Sequence, residues 1–119
     1  MKQNDFIPEI YRAIDSKDTQ KFVSYFAEDS VFTNANIPGV KGRDNISVFL
    51  DGFFQSIKAL NHTELEYWEA QDVWFVTGNA NYMRLDDLKL RVPFSVLIRM
   101  QNDKIKEFQI FVDNTELYK

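Results

Sequence analysis

The spacing of apolar residues changes once along this chain, and the change falls at His62. Before it, apolar side chains recur every three or four residues: Ile7, Ile10 and Ile14, then Phe22, Val23 and Phe26, then Ile46, Phe49, Leu50, Phe53, Ile57 and Leu60. That period gives each of three helices one apolar face. After it, the period is two. In Leu88 to Met100, the residues Leu90, Val92, Phe94, Val96, Ile98 and Met100 fall on one face of a strand, and Arg91, Pro93, Ser95, Leu97 and Arg99 on the other. Helices first and a meander of strands afterwards predict an α+β fold with an antiparallel sheet.

Local chemistry sets the boundaries. Asn4 or Asp5 is placed to cap the first helix, which tolerates Pro8 in its first turn. Asp15-Ser16-Lys17-Asp18 breaks it, Asp18 caps a second, shorter helix, and Asp29 and Ser30 end that one. Val31-Phe32-Thr33 reads as a short strand, Asn34 to Gly42 as a loop with a Pro-Gly turn, and Asp44 as the cap of the long third helix. Gly52 inside that helix costs ~1 kcal/mol relative to alanine, which suits close packing against a strand. His62 to Ala70, Val73 to Leu85, Leu88 to Met100 and Ile105 to Asp113 follow as strands, turning at Asp86-Asp87 and Gln101-Asn102-Asp103. Gly78 reads as a bulge or tight bend that lets the sheet curve around the long helix.

The 119 residues make one domain, 1–119. Aromatic content is 15%, with eleven phenylalanines, so the chain has either a very aromatic core or a greasy cavity. There is no cysteine, which excludes disulfides and thiolate metal sites. A single histidine argues against a histidine-built zinc site, and Asp86, Asp87 and Asp103 are too sparse for a calcium loop. Gly39 and Gly42 stand in neither a phosphate loop nor a dinucleotide fingerprint, so no cofactor is expected. The net charge of −4, without a basic run, argues against nucleic acid. No apolar stretch approaches the ~20 residues that span a membrane, and Met1 to Asp5 lack a signal-peptide core, so a cytoplasmic protein is expected.

Few residues offer chemistry. Asp113 ends the last strand after the apolar run Phe108 to Val112. A carboxylate among rings loses hydration, its pKa rises, and it becomes a general base. The plainer reading makes Asp113 a strand-end residue that faces water and bonds the backbone near Asn114 and Thr115. By alternation it shares a face with Glu107, Gln109 and Phe111, and either face can be the cavity side. His62 is a proton shuttle or a hydrogen bond that ties helix to strand. Tyr11, Tyr25 and Tyr82 are candidate phenols. Arg43, a cation at a helix start, opposes the macrodipole and calls for a partner such as Glu28 or Asp29. Phe32, Phe53, Phe54, Trp74, Tyr82, Phe94 and Phe111 are the candidate pocket rings. Gly78 and Ala80 share a face with Trp74 and Tyr82 and either leave room for a ligand or admit a helix.

The segment Phe26-Ala27-Glu28-Asp29-Ser30-Val31-Phe32, the loop Pro38-Gly39-Val40-Lys41-Gly42-Arg43-Asp44 and the closing Ile110-Phe111-Val112-Asp113 stand in an order that resembles the SnoaL-like branch of the nuclear transport factor 2-like superfamily. The resemblance spans nearly the whole chain. It implies a cone: a curved antiparallel sheet wrapped around the long helix, with two N-terminal helices and a pocket. In SnoaL-like cyclases and limonene-1,2-epoxide hydrolases a catalytic aspartate follows a similar aromatic run, which implies Asp113. The epoxide hydrolases also use an arginine and an aspartate two residues apart; Arg84-Leu85-Asp86 has that spacing, although it abuts a turn and Pro93 follows sooner. Ketosteroid isomerases share the fold and use a tyrosine with a protonated aspartate. The resemblance also implies a pocket-edge place for His62. The expectation is a protein that binds an apolar or aromatic small molecule, as a cofactor-independent isomerase, cyclase or hydrolase with Asp113 as base, or as a non-catalytic binding or dimeric interaction module. A homodimer is expected, because relatives pair sheet to sheet and Leu97 is apolar on the convex face.

Overall fold

The structure is a computed structural model that describes residues 5–119. Helix α1 (Phe6–Asp15) buries Phe6, Ile7, Ile10, Tyr11, Ala13 and Ile14, the face that the three- and four-residue spacing marks. Asp5 precedes it without a side-chain cap bond, and Asn4 lies outside the described residues. Helix α2 (Thr19–Val23) is capped by Asp18, which accepts the Lys21 N–H at 3.0 Å. It ends at Val23, well short of Asp29, because Phe26 already belongs to strand β1 (Phe26–Asn34). Strand β2 (Val40–Lys41) is a two-residue edge piece.

Helix α3 (Arg43–Gln55) has Gly42, not Asp44, as its cap residue. Gly42 has φ +88°, a conformation that favours glycine, and its carbonyl accepts the Ile46 N–H. Asp44 sits in the first turn, where a carboxylate suits the macrodipole. Arg43 pairs with neither Glu28 nor Asp29 among the described residues; Asp29 pairs with Lys106, which holds its carboxyl below the usual range. The helix stops at Gln55, so Leu60 lies on strand β3 (Ala59–Ala70).

Strands β4 (Val73–Met83), β5 (Lys89–Gln101) and β6 (Lys104–Val112) complete one six-stranded sheet in the order β2-β1-β6-β5-β4-β3. The sheet is not wholly antiparallel: β1 runs parallel to β6, with Phe32 opposite Phe108 and Asn34 opposite Ile110. The β5–β6 hairpin turns through Asn102 and Asp103, both at positive φ, as a two-residue hairpin loop with right-handed strand twist requires. The bulge expected at Gly78 is in the facing strand. Gly78 pairs with Phe94 in an unbroken β4–β5 ladder, while Glu64 and Leu65 together stand opposite it on β3. A Cβ at Gly78 would come within 2.9 Å of the Thr63 carbonyl oxygen. The glycine therefore admits the bulge, which bends β3 inward.

The concave face of this curved sheet carries the core. Phe108 and Ile98 are fully buried, with Val96 and Phe94 nearly so. Phe22, Phe26, Phe32 and Phe108 form one ring cluster: Phe32 stacks on Phe108 at 5.6 Å, and Phe22 meets Phe108 edge-on at 5.3 Å. Helix α3 closes it with Ile46, Leu50 and Phe54, and α1 packs against β3. Much of the aromatic content is thus core.

Candidate functional site

Two spaces that share lining residues lie between α3 and the sheet. The inner chamber is small, about 50 Å³, and is walled by rings that include Tyr11, Phe32, Phe53, Phe54, Tyr82 and Phe94. The outer basin is an open depression of about 870 Å³ between α3, the end of β6 and the C-terminal segment. Asn34, Phe49, Phe53 and Val112 border both.

His62 is in the chamber wall, and its partner is a residue that the sequence marks only as a helix breaker. Asp15, the last residue of α1, accepts the His62 backbone N–H at 2.9 Å with one carboxylate oxygen and sits 2.6 Å from Nδ1 with the other. This ties helix to strand and fixes the ring. With the carboxylate accepting, Nδ1 carries the proton and Nε2 of the neutral ring holds the free lone pair. Tyr11 and Phe94 meet the imidazole ring edge-on at 4.8 and 5.1 Å.

Two phenols share the chamber. Burial, then the charge of Asp15 and then Tyr82, push the Tyr11 hydroxyl above the ordinary tyrosine range. Its oxygen has no hydrogen-bond partner among the described residues. Tyr82 is pushed up to about 12, mainly by burial, with Tyr118 adding to it. Both stay protonated donors at neutral pH. Tyr25 is elsewhere, 3.4 Å from Glu9.

Asp113 is not among the rings. It is exposed at the rim of the basin, on the outer side of the sheet with Phe111, and one oxygen accepts both the Thr115 N–H and the Thr115 hydroxyl. Those bonds, the hydroxyl first, hold its carboxyl below the usual range. The expected upward shift is absent because the apolar residues before it, Phe108 and Ile110, turn to the other face. Phe111 is 52% exposed, so it borders the basin rather than the chamber. Trp74 is buried under Phe6 and beside Tyr67, at the far end of β4 from His62. Arg84 points at neither space: its guanidinium bonds Asp86 and the carbonyls of Glu116 and Lys119, clasping the C-terminal segment. Gly52 does not pack on a strand; nothing lies within 4 Å of where its Cβ would be.

The residues that sequence reasoning passed over are Asp15 and Asn34. A carboxylate at the end of a helix opposes the macrodipole, the signal that singled out Arg43, and it would have found Asp15. Among the described residues no group of three or more His, Asp or Glu is arranged to hold a metal ion.

Residues 7–108 match the family model for the SnoaL-like domain. A protein with a ketosteroid isomerase-like fold from Catenulispora acidiphila, solved with trimethylamine, superposes with a TM-score of 0.87 at 16% identity, covering 98% of this chain and 91% of its own. A nuclear transport factor 2-like protein from Burkholderia pseudomallei gives 0.87 at 18% identity, covering 98% and 95%. A candidate polyketide cyclase from Xanthomonas campestris gives 0.85 at 14% identity, covering 95% and 91%. These likenesses show the fold. No curated protein sequence matches significantly.

Proposed function

The chain belongs to the SnoaL-like domain family, and from that premise we propose that it takes a small, neutral, ring-bearing molecule into the cone and moves a proton on it, with His62 as the proton acceptor. One observation carries this reading: Asp15 holds both the backbone and the ring of His62, at 2.9 and 2.6 Å, in the wall of a chamber lined mostly by apolar side chains. A histidine oriented by a carboxylate is a general base whose protonated form the carboxylate stabilises. Its Nε2 takes the proton from a carbon beside a carbonyl. Tyr11, kept protonated, donates to the oxygen where charge develops. The step needs no cofactor. A chamber of about 50 Å³ takes the reacting edge alone, and the rest of the molecule lies toward the basin past Phe49 and Phe53. His62 rather than Asp113 receives the role, because Asp113 is exposed and committed to Thr115.

The test is proton exchange. Ring ketones such as 2-tetralone and cyclohex-2-enone, incubated with the protein in deuterium oxide, should lose their acidic C–H signals in proton NMR. His62→Gln should slow this by about a hundredfold or more. Exchange that is absent, or equal in the variant, would sink the reading.

A second observation favours pairing of two copies. On the convex face Trp68 and Phe75 are 53% and 44% exposed, sit opposite one another, and continue across the ladder to Leu97. The ion pair Arg91–Glu64 joins β5 to β3, and Arg99–Glu107 joins β5 to β6. We propose a two-fold dimer through this face. Sedimentation as a monomer at micromolar concentration would overturn it, and Trp68→Glu should dissociate the pair.

A further inference from the structure

The basin and the chamber meet at Asn34, and a proton-transfer role for His62 leaves that side chain unexplained. Asn34 ends β1 on the inner face, directly across the ladder from Ile110. Its backbone is engaged, since its carbonyl accepts the Ile37 N–H at 3.1 Å. The residue is 8% exposed, and its Oδ1 is buried without a partner among the described residues. An unmet amide oxygen in an apolar wall destabilises the fold, whereas a leucine of similar size would fill the place without that cost. Across the basin, Gly52 weakens α3 although no neighbour needs the space of its missing side chain. Both residues work against folding, and both border the path from solvent to chamber.

We propose that Asn34 is the specificity-determining contact for a ligand that lies across both spaces: a ring compound whose hydroxyl or N–H group donates to Asn34 Oδ1 at the junction. Gly52 gives clearance to the part left in the basin. This rests on the reading of the cone as a site for ring-bearing molecules, and it adds where along the molecule a donor must stand.

The test uses ω-phenylalkanols with one to four methylenes between ring and hydroxyl, each with its methyl ether, titrated into the full chain and followed by NMR. At the best spacer length the alcohol should bind about tenfold tighter than its ether, the size expected when a buried acceptor gains or loses a donor. The Asn34 side-chain amide signals should move with the alcohol and not with the ether. Asn34→Leu should erase the preference while its melting temperature holds or rises; should that variant not fold, Asn34→Ala gives the same reading. Gly52→Trp should weaken both partners of a pair by about tenfold or more, the basin being blocked. Equal affinities in the native chain, or a preference that survives in Asn34→Leu, would overturn the Asn34 assignment and leave the ring-binding reading standing. No binding of any pair at millimolar concentration would overturn both.

Discussion

Asp113 and Asp15 are two carboxylates whose surroundings invert what their sequence neighbours suggest. Asp113 follows Phe108, Ile110, Phe111 and Val112 and yet faces water at the basin rim, its oxygen taken by Thr115. Asp15 sits in the polar run Asp15-Ser16-Lys17-Asp18 and yet reaches into the fold to hold the chamber's histidine. The difference comes from geometry. On a strand, adjacent residues point to opposite faces, so an apolar run places half its members outside. At a helix end, one residue still belongs to the last turn, and Asp15 follows the buried Ile14 toward β3. What surrounds a residue in sequence is a poor guide to what surrounds it in space.

Four measurements would break or sharpen that contrast. The largest effect is expected on turnover. Asp15→Asn keeps the shape but removes the charge and turns one of the two oxygens that hold His62 into an N–H donor, so exchange of the ring ketones should fall by about 10²–10⁴-fold. Asp113→Asn should leave the rate within about twofold, because proton transfer by a positioned group is what carries such factors. A large loss in the Asp113 variant would reverse the assignment.

The second extends the contrast to neighbouring rings. Phe108 is 1% exposed and Phe111 is 52% exposed, three residues apart on one strand. In urea, Phe108→Ala should lose about 3–5 kcal/mol of stability, as large-to-small changes in packed cores do. Phe111→Ala should stay within about 0.5 kcal/mol, the range of exposed substitutions. Comparable losses would mean that the proposed dimer face extends over Phe111.

Third, Gly78→Ala would drive a methyl group against the Thr63 carbonyl, so a loss of about 1–3 kcal/mol is expected from overpacking at the β3 bulge. Full stability would show that β3 yields and that the bulge does not set the curvature.

The smallest effect is the titration of Asp113. Its carboxyl is held below 3.8 by Thr115, so the folded form releases its proton more readily than the unfolded chain. The stability this adds is present above the ordinary carboxylate pKa and disappears as pH falls through the lowered folded value. Carbon-detected NMR should give a midpoint below that of a free aspartate, and Thr115→Ala should raise it toward the ordinary value without restoring it fully, because the backbone N–H of residue 115 still donates. A midpoint above 3.8 would restore the buried-base reading of this residue.

The legible parts of the fold were those with sustained periods. Of the stripe read on α3, Ile46 and Leu50 are buried while Phe49 and Phe53 are only partly so, and Phe54, outside that stripe, is buried; the alternation Phe94, Val96 and Ile98 of β5 is buried throughout. Strand β1 was harder to read. Phe22 and Phe26 have helical spacing, but Phe26 pairs with Ile105 while Val31 pairs with Glu107, so an irregular stretch of β1 hides its alternation until Ser30. The site was less legible still. Lone histidines carry no pattern, and the Asp15–His62 contact joins residues 47 apart. A buried, unmet Asn34 oxygen leaves no trace in a sequence, because polar residues are ordinary at strand ends.

The parallel pairing of β1 with β6 also sets the order in which this chain becomes a protein. The hairpins β3–β4, β4–β5 and β5–β6 join neighbours in sequence and form early by local encounter. Phe26, by contrast, has no strand to lie beside until Ile105 has been made, and Phe32 has only Val40 of the two-residue β2 until Phe108 follows. During synthesis the first quarter of the chain therefore waits as sticky, unpaired rings, exposed to the wrong partners until the final strand arrives.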